Sequence, residues 1–223
     1  MNIFNINPLQ LILAIPGIMI AMTVHSFAQA YVADKLGDNT PRSQGKITLN
    51  PIAHIDPIGF LMILILHFGW GKPIETHPKT IKDDLKVACS GTIANFLTAA
   101  VFAFILSFVY YIASNNGNPS SVFNTNSANI YFMVYYTVQI NCVFGIINLF
   151  PLPGFDGFRI LRDLAPKFFN RISYTLYRYQ MIILLLFIFP IYGNYSVASL
   201  IIDAPSGFLI SMLIKLFKPI FNH

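Results

Sequence analysis

Four long apolar runs, at residues 8–33, 87–113, 129–150 and 172–190, constrain this chain more than any other feature. A helix needs about 20 mostly apolar residues to cross a bilayer, and each run is close to that length. In water these runs would have to be buried against one another beneath a charged surface. Only 10% of the 223 residues are charged and 55% are hydrophobic, whereas a soluble domain carries about a quarter charged residues. The sequence therefore predicts an all-α integral membrane protein whose first partner is the lipid bilayer. With no repeats and no polar stretch of domain length, residues 1–223 read as a single transmembrane domain.

Two further segments are ambiguous. The run at 197–219 is apolar but is interrupted by "DAPSG" (203–207), so spanning, bending and interfacial placement all stay open. The run "PIGFLMILILHFGW" (57–70) is too short to span. It sits between Pro57 and Gly71, and the stretch near 45–72 is expected to hold a short re-entrant segment or a β-hairpin.

Charge placement gives an orientation. Lys35, Arg42, Lys46, Lys72, Lys79, Lys82 and Lys86 fall between the first and second long runs. Residues 114–127 carry no lysine or arginine, and the next connection carries Arg159, Arg162, Lys167 and Arg171. If 172–190 and 197–219 both cross, Lys215 and Lys218 return to the same side as the others. The positive-inside rule makes that side cytoplasmic, which for a prokaryotic chain places it in the plasma membrane. The net charge of +5 is thereby explained by topology, and no nucleic-acid partner is expected. Cys89 and Cys142 lie in apolar runs without a cysteine cluster and read as free thiols. The N-terminus lacks the basic n-region of a signal peptide, so the first apolar run is expected to remain as a spanning helix.

Polar groups inside spans are costly and point to function. His25 and Gln29 lie one turn apart in the first run, on one helix face. Alone, that pair reads as hydrogen bonding to a neighbouring helix. In "NLFPLPGFDG" (148–157), Asp156 sits in a Pro- and Gly-rich break. Alone, it reads as a helix N-cap before "FRILRDL". Asn95 reads as a helix–helix hydrogen bond, and "LNPIAHIDPIGF" (49–60), with His54 and Asp56, as a rigid turn.

Together these segments resemble the site-2 protease family of intramembrane zinc metalloproteases, in its compact prokaryotic branch. "HSFAQAYVADKLGD" is similar to that branch's HExxH helix, and "GKITLNPIAHIDPIG" to its Asn-Pro and His-Ile-Asp-Pro loop. "FGWGKPIETHP", "SGTIANF" and "NLFPLPGFDG" match three further elements in order. The resemblance implies a core of three transmembrane helices with one or two further C-terminal helices. It places two histidines and a later aspartate on zinc, with a glutamate activating water against a peptide bond in a transmembrane substrate. It also gives Asn95, His54 and Asn148 substrate-binding or site-supporting positions.

Carried onto this chain, the metal positions fall on His25, Gln29 and Asp156, and the catalytic position on Ser26. An amide is a poor zinc ligand beside imidazole, and serine is no general base near neutral pH without an activating partner. Thr92, Gly154 and His77 are further departures from the pattern. His54 or His77 as a replacement ligand, or Asp56 as a replacement base, has no support from spacing. The expectation is therefore a family scaffold with zinc absent or weakly bound and proteolysis lost, which binds transmembrane segments of partner proteins. An active divergent metallopeptidase and a small transporter are the alternatives.

Overall fold

The computed structural model describes residues 8–66, 69–115, 125–192 and 195–221. Its core is three long helices: α1 (Pro8–Lys35), α5 (Ile81–Asn115) and α6 (Thr125–Asn148). Between α1 and α5 lie three short helices, α2 (Thr40–Ser43), α3 (Pro51–His54) and α4 (Pro57–Leu66). After α6 come α7 (Asp156–Leu164), α8 (Pro166–Arg178), α9 (Gln180–Ile188), a two-stranded antiparallel ladder β1 (Pro190–Tyr192) and β2 (Tyr195–Ser196), and α10 (Val197–Phe221).

Among the described residues four helices are long and apolar enough to cross a membrane: α1, α5, α6 and α10. They are apolar nearly all round, and large side chains such as Ile12, Leu97 and Leu200 stay exposed on the bundle, as lipid-facing helices require. The helices approach closely where residues are small: a Cβ on Gly17 of α1 would stand 2.9 Å from the Thr137 backbone of α6. α10 packs along α5 and α6. Its Ala198 and Ile202 meet Ile146 and Phe150, and its Ile210 and Phe217 meet Ala99, Ala103 and Val138.

One expectation changes, and two segments left open are resolved. The run at 172–190 is not a span, because the helix ends at Arg178, Tyr179 is non-helical and α9 has only nine residues. Nine residues rise about 14 Å, under half of the roughly 30 Å hydrocarbon core. The run at 197–219 is one continuous helix despite Pro205 and Gly207. With only α10 crossing after α6 among the described residues, and running antiparallel to it, the end of α10 that carries Lys215 and Lys218 lies opposite the basic residues that precede α5 and follow α6. Of the two alternatives for the stretch near 45–72, re-entrant segment or β-hairpin, the described residues form a ten-residue helix, α4, and no hairpin; strand-like pairing among them is limited to an isolated bridge between Ile55 and Gly71.

The basic end of the bundle is knit by ionic contacts. Asp84, buried at the start of α5, accepts from Arg159 and Arg162 of α7, and Arg159 also donates to Thr76 Oγ1 at 3.1 Å. Asp163, beside Asp84, is pushed above the ordinary carboxylate range, chiefly by burial. Lys46 and Lys72 each donate to the carbonyl end of α3, at Ala53 O and Ile52 O, both at 2.8 Å.

Candidate metal centre

The polar residues of α1, α5 and α6 form one buried chain, and its direction can be read from the far end. Asn141 Nδ2 donates to Thr137 O at 2.8 Å, leaving its Oδ1 to accept from Asn95 Nδ2 at 3.0 Å. Asn95 Nδ2 also donates to Ala21 O at 3.0 Å. Both amide hydrogens of Asn95 are then spent, so its Oδ1 is an acceptor, 2.8 Å from His25 Nδ1. Nδ1 therefore carries a hydrogen, and in the neutral ring Nε2 carries the lone pair. This second contact of the imidazole fixes its tautomer and aims Nε2, the arrangement found behind metal-bound histidines.

The His25 ring is also fixed sterically. Phe144 of α6 meets it edge-on, with centroids 5.3 Å apart and planes at 89°. Gly91 of α5 lies flat against it: a Cβ there would be 2.5 Å from His25 Cε1. Only a residue without a side chain lets α5 pass at that point.

Asp156 reaches the same place from the other end of the chain. After α6 the backbone turns through Pro151, Pro153 and Gly154, whose φ of +99° favours glycine. Gly157 then packs against the end of α6, where a Cβ would stand 2.1 Å from Leu149 O. This tight return puts Asp156 in the first turn of α7, where the helix dipole favours a carboxylate. It is not the N-cap: Phe155 holds that position and makes no side-chain cap. The carboxylate points into the bundle instead, with Oδ2 2.9 Å from His25 Nε2. Oδ2 accepts no hydrogen bond at all. The two atoms are within ion-pair distance, but the contact lacks hydrogen-bond direction.

Gln29 closes the group. Its Nε2 donates to Asp156 Oδ1 at 2.8 Å and lies 3.2 Å from His25 Nε2. The reverse amide orientation would set a carbonyl oxygen against the carboxylate, which is repulsive without a cation. The NH2 group thus faces both atoms that a metal would need. Two donors converge, His25 Nε2 and Asp156 Oδ2, but the third side chain offers hydrogens rather than a lone pair. This set does not fit zinc, which needs three protein lone pairs and an open position. Among the described residues no group of three or more His, Cys, Asp or Glu side chains could hold a metal ion.

The remaining sequence candidates lie apart from this group. Ser26 makes no hydrogen bond among the described residues. His54, fully buried, places Nε2 2.7 Å from Thr48 O and leaves Nδ1 without a partner. Burial holds its pKa below the usual histidine value, helped by Lys46 and Lys72. Asn148 donates along its own helix to Phe144 O at 2.8 Å, and Asp56 caps the Gly59 amide of α4 at 2.8 Å. His77 Nδ1 lies 3.2 Å from Thr40 Oγ1. None of these joins His25. Sequence reasoning singled out neither Asn141 nor Gly91; the first was visible as an asparagine in the middle of an apolar run, the second as the glycine of "SGTIANF".

Comparison with known proteins points to one family. Residues 17–189 match the family model described as peptidase family M50. The chain is 32% identical over 204 residues to YwhC of Bacillus subtilis (strain 168), covering 91% of both chains; YwhC carries a provisional zinc-metalloprotease name. A similarly named protein, Rip2 of Mycolicibacterium smegmatis, is 28% identical over 158 residues, covering 67% of this chain and 56% of its own. Rip2 of Mycobacterium tuberculosis is 24% identical over 165 residues, covering 70% of this chain and 59% of its own. No solved structure matches the chain.

Proposed function

This chain belongs to peptidase family M50, the site-2 protease family, and on that premise we propose that it is a non-proteolytic member that binds transmembrane segments of partner proteins. One observation carries the loss of activity: the Gln29 amide donates to Asp156 and faces His25, taking up the donors a zinc ion would use. Ser26, at the position of the general base, has no activating partner. Its neighbour His25 diverges from it on the helix surface and is committed to Asn95 and the Asp156 group.

Binding of partner segments is supported by a lateral groove between α1 and α5. It has a volume of about 900 Å³ and is lined by Val24, Phe27 and Tyr31 from one helix and Cys89, Ile93 and Leu97 from the other. Basic loops facing the cytoplasm complete the reading.

A second reading, an active divergent metallopeptidase, has one observation in its favour. Asp156 Oδ2 is buried, without a hydrogen bond, 2.9 Å from an imidazole lone pair, and a cation between them would relieve both. Elemental analysis of the detergent-purified protein separates the readings, with wild type beside the Gln29→His/Ser26→Glu variant. Substoichiometric zinc and no peptide cleavage are expected of wild type, and both gained in the variant. Stoichiometric zinc in wild type, with cleavage that disappears in Asp156→Ala, would overturn the proposal.

A further inference from the structure

From Pro166 to Phe189 the chain carries no acidic residue and three basic ones, Lys167, Arg171 and Arg178, all exposed on α8. At about 100° per residue these three fall within roughly 40° of one another around the helix. The opposite side of α8 is turned to the protein, with Phe169 buried against Phe158, while Tyr177, roughly 100° from the stripe and half exposed, meets Phe158 edge-on at 5.1 Å. Exposed Phe168 lies roughly 80° round from the middle of the basic stripe, and exposed Tyr179 follows directly after α8, its ring 5.6 Å from the Arg178 guanidinium. α8 thus has an apolar edge and a cationic edge side by side on its free half.

The helix that follows fixes where that edge lies. α9 is nine residues of "QMIILLLFI", and Met181, Ile182, Leu185 and Leu186 are each about half exposed or more. So contiguous an apolar surface marks a contact with lipid or with another protein, and beside four helices long and apolar enough to cross a membrane the surrounding medium is lipid. α9 is too short to cross, and both its flanking elements sit at one end of the bundle, where Phe187 packs on Phe150 and Phe155. The segment therefore lies at the membrane surface, with α9 in the acyl boundary. An amphipathic helix at that depth, basic along one edge, is built for anionic headgroups.

We propose that α8 binds anionic phospholipid at the membrane surface, its apolar edge among the acyl chains and Lys167, Arg171 and Arg178 on the headgroup phosphates. This rests on the stripe, the exposed aromatic edge and α9, and does not depend on whether the protein cleaves peptides.

The test uses the full chain purified in a neutral detergent, with thermal unfolding followed while phosphatidylglycerol or phosphatidylcholine is added. Wild type should gain several degrees in Tm from phosphatidylglycerol and little from phosphatidylcholine, and the gain should shrink in high salt, which screens exposed charges. Lys167→Gln/Arg171→Gln/Arg178→Gln should fold, since the three side chains are exposed, and should lose most of that gain. Lys79→Gln/Lys82→Gln, removing charges elsewhere on the basic end, should keep it. No gain in wild type, an equal gain in the triple variant, or the same gain from inorganic phosphate alone would each overturn the assignment.

Discussion

Gln29 of α1 donates its side-chain N–H to Asp156 of α7 at 2.8 Å, across 127 residues of chain. It satisfies one carboxylate oxygen with a neutral donor and turns the same amide toward His25.

Gln29→His alone is expected to raise zinc affinity by an order of magnitude or more, since imidazole replaces an amide on a borderline-soft ion. Cleavage should stay undetectable, because Ser26 still supplies no base. Zinc titration and a peptide-release assay on the same preparation check the two halves separately. Cleavage from the single variant would show that another group serves as base.

Gln29→Leu should destabilise the protein by about 1–3 kcal/mol, the cost of leaving a buried acceptor without its donor. Here Asp156 Oδ1 loses that donor while Oδ2 already lacks one. Unfolding in detergent measures the loss; an unchanged midpoint would mean that solvent reaches the site.

Asn95→Leu removes the acceptor of His25 Nδ1–H and the donors to Ala21 O and Asn141 Oδ1 together. A loss of about 2–4 kcal/mol is expected, larger than for Gln29→Leu, because breaking a buried network exceeds breaking one bond. Comparing Asn95→Leu with Asn141→Leu tests the network: the double variant should cost less than the sum of the two singles.

Gly91→Ala should be harmful although alanine favours helix. Its Cβ would meet the His25 ring at 2.5 Å, and that ring is held on its other side by Phe144. About 1–3 kcal/mol of overpacking is expected, read as a lower unfolding midpoint. The conformationally similar Gly207→Ala, with nothing within 4 Å, should be neutral or slightly stabilising.

Stability should fall as pH drops below about 6.5. His54 is buried, and its pKa is held below the ordinary histidine value, first by burial and then by Lys46 and Lys72. Between its folded pKa and the unfolded value near 6.5, the unfolded chain binds more protons than the native one. Its contribution is thus complete above that value and is lost as pH falls through the folded pKa. Thermal midpoints of wild type and His54→Gln from pH 8 to 5 should converge toward the acid end; parallel curves would remove His54 as the source.

The sequence by itself determined the solvent, the core helices and the family. Hydropathy alone places α1, α5 and α6, because a run of about 20 apolar residues has one stable state in a bilayer. The order of the motifs, from "HSFAQ" to "FDG", also pointed to His25, Gln29, Asn95 and Asp156, which the structure brings together, and to Ser26, His54 and Asn148, which it does not. Only the tertiary structure decided the rest. Whether α9 crosses depends on a helix break at Tyr179, a backbone choice that an apolar count does not register, and with it went the side on which α10 ends. Whether Asp156 capped a helix or entered the bundle depended on the Gly154 turn and on how closely Gly157 meets α6. Last, the tautomer of His25 and the orientation of the Gln29 amide are properties of a hydrogen-bond chain through Asn95, Asn141 and Asp156. Its members come from four helices, so the chain exists only once those helices have packed.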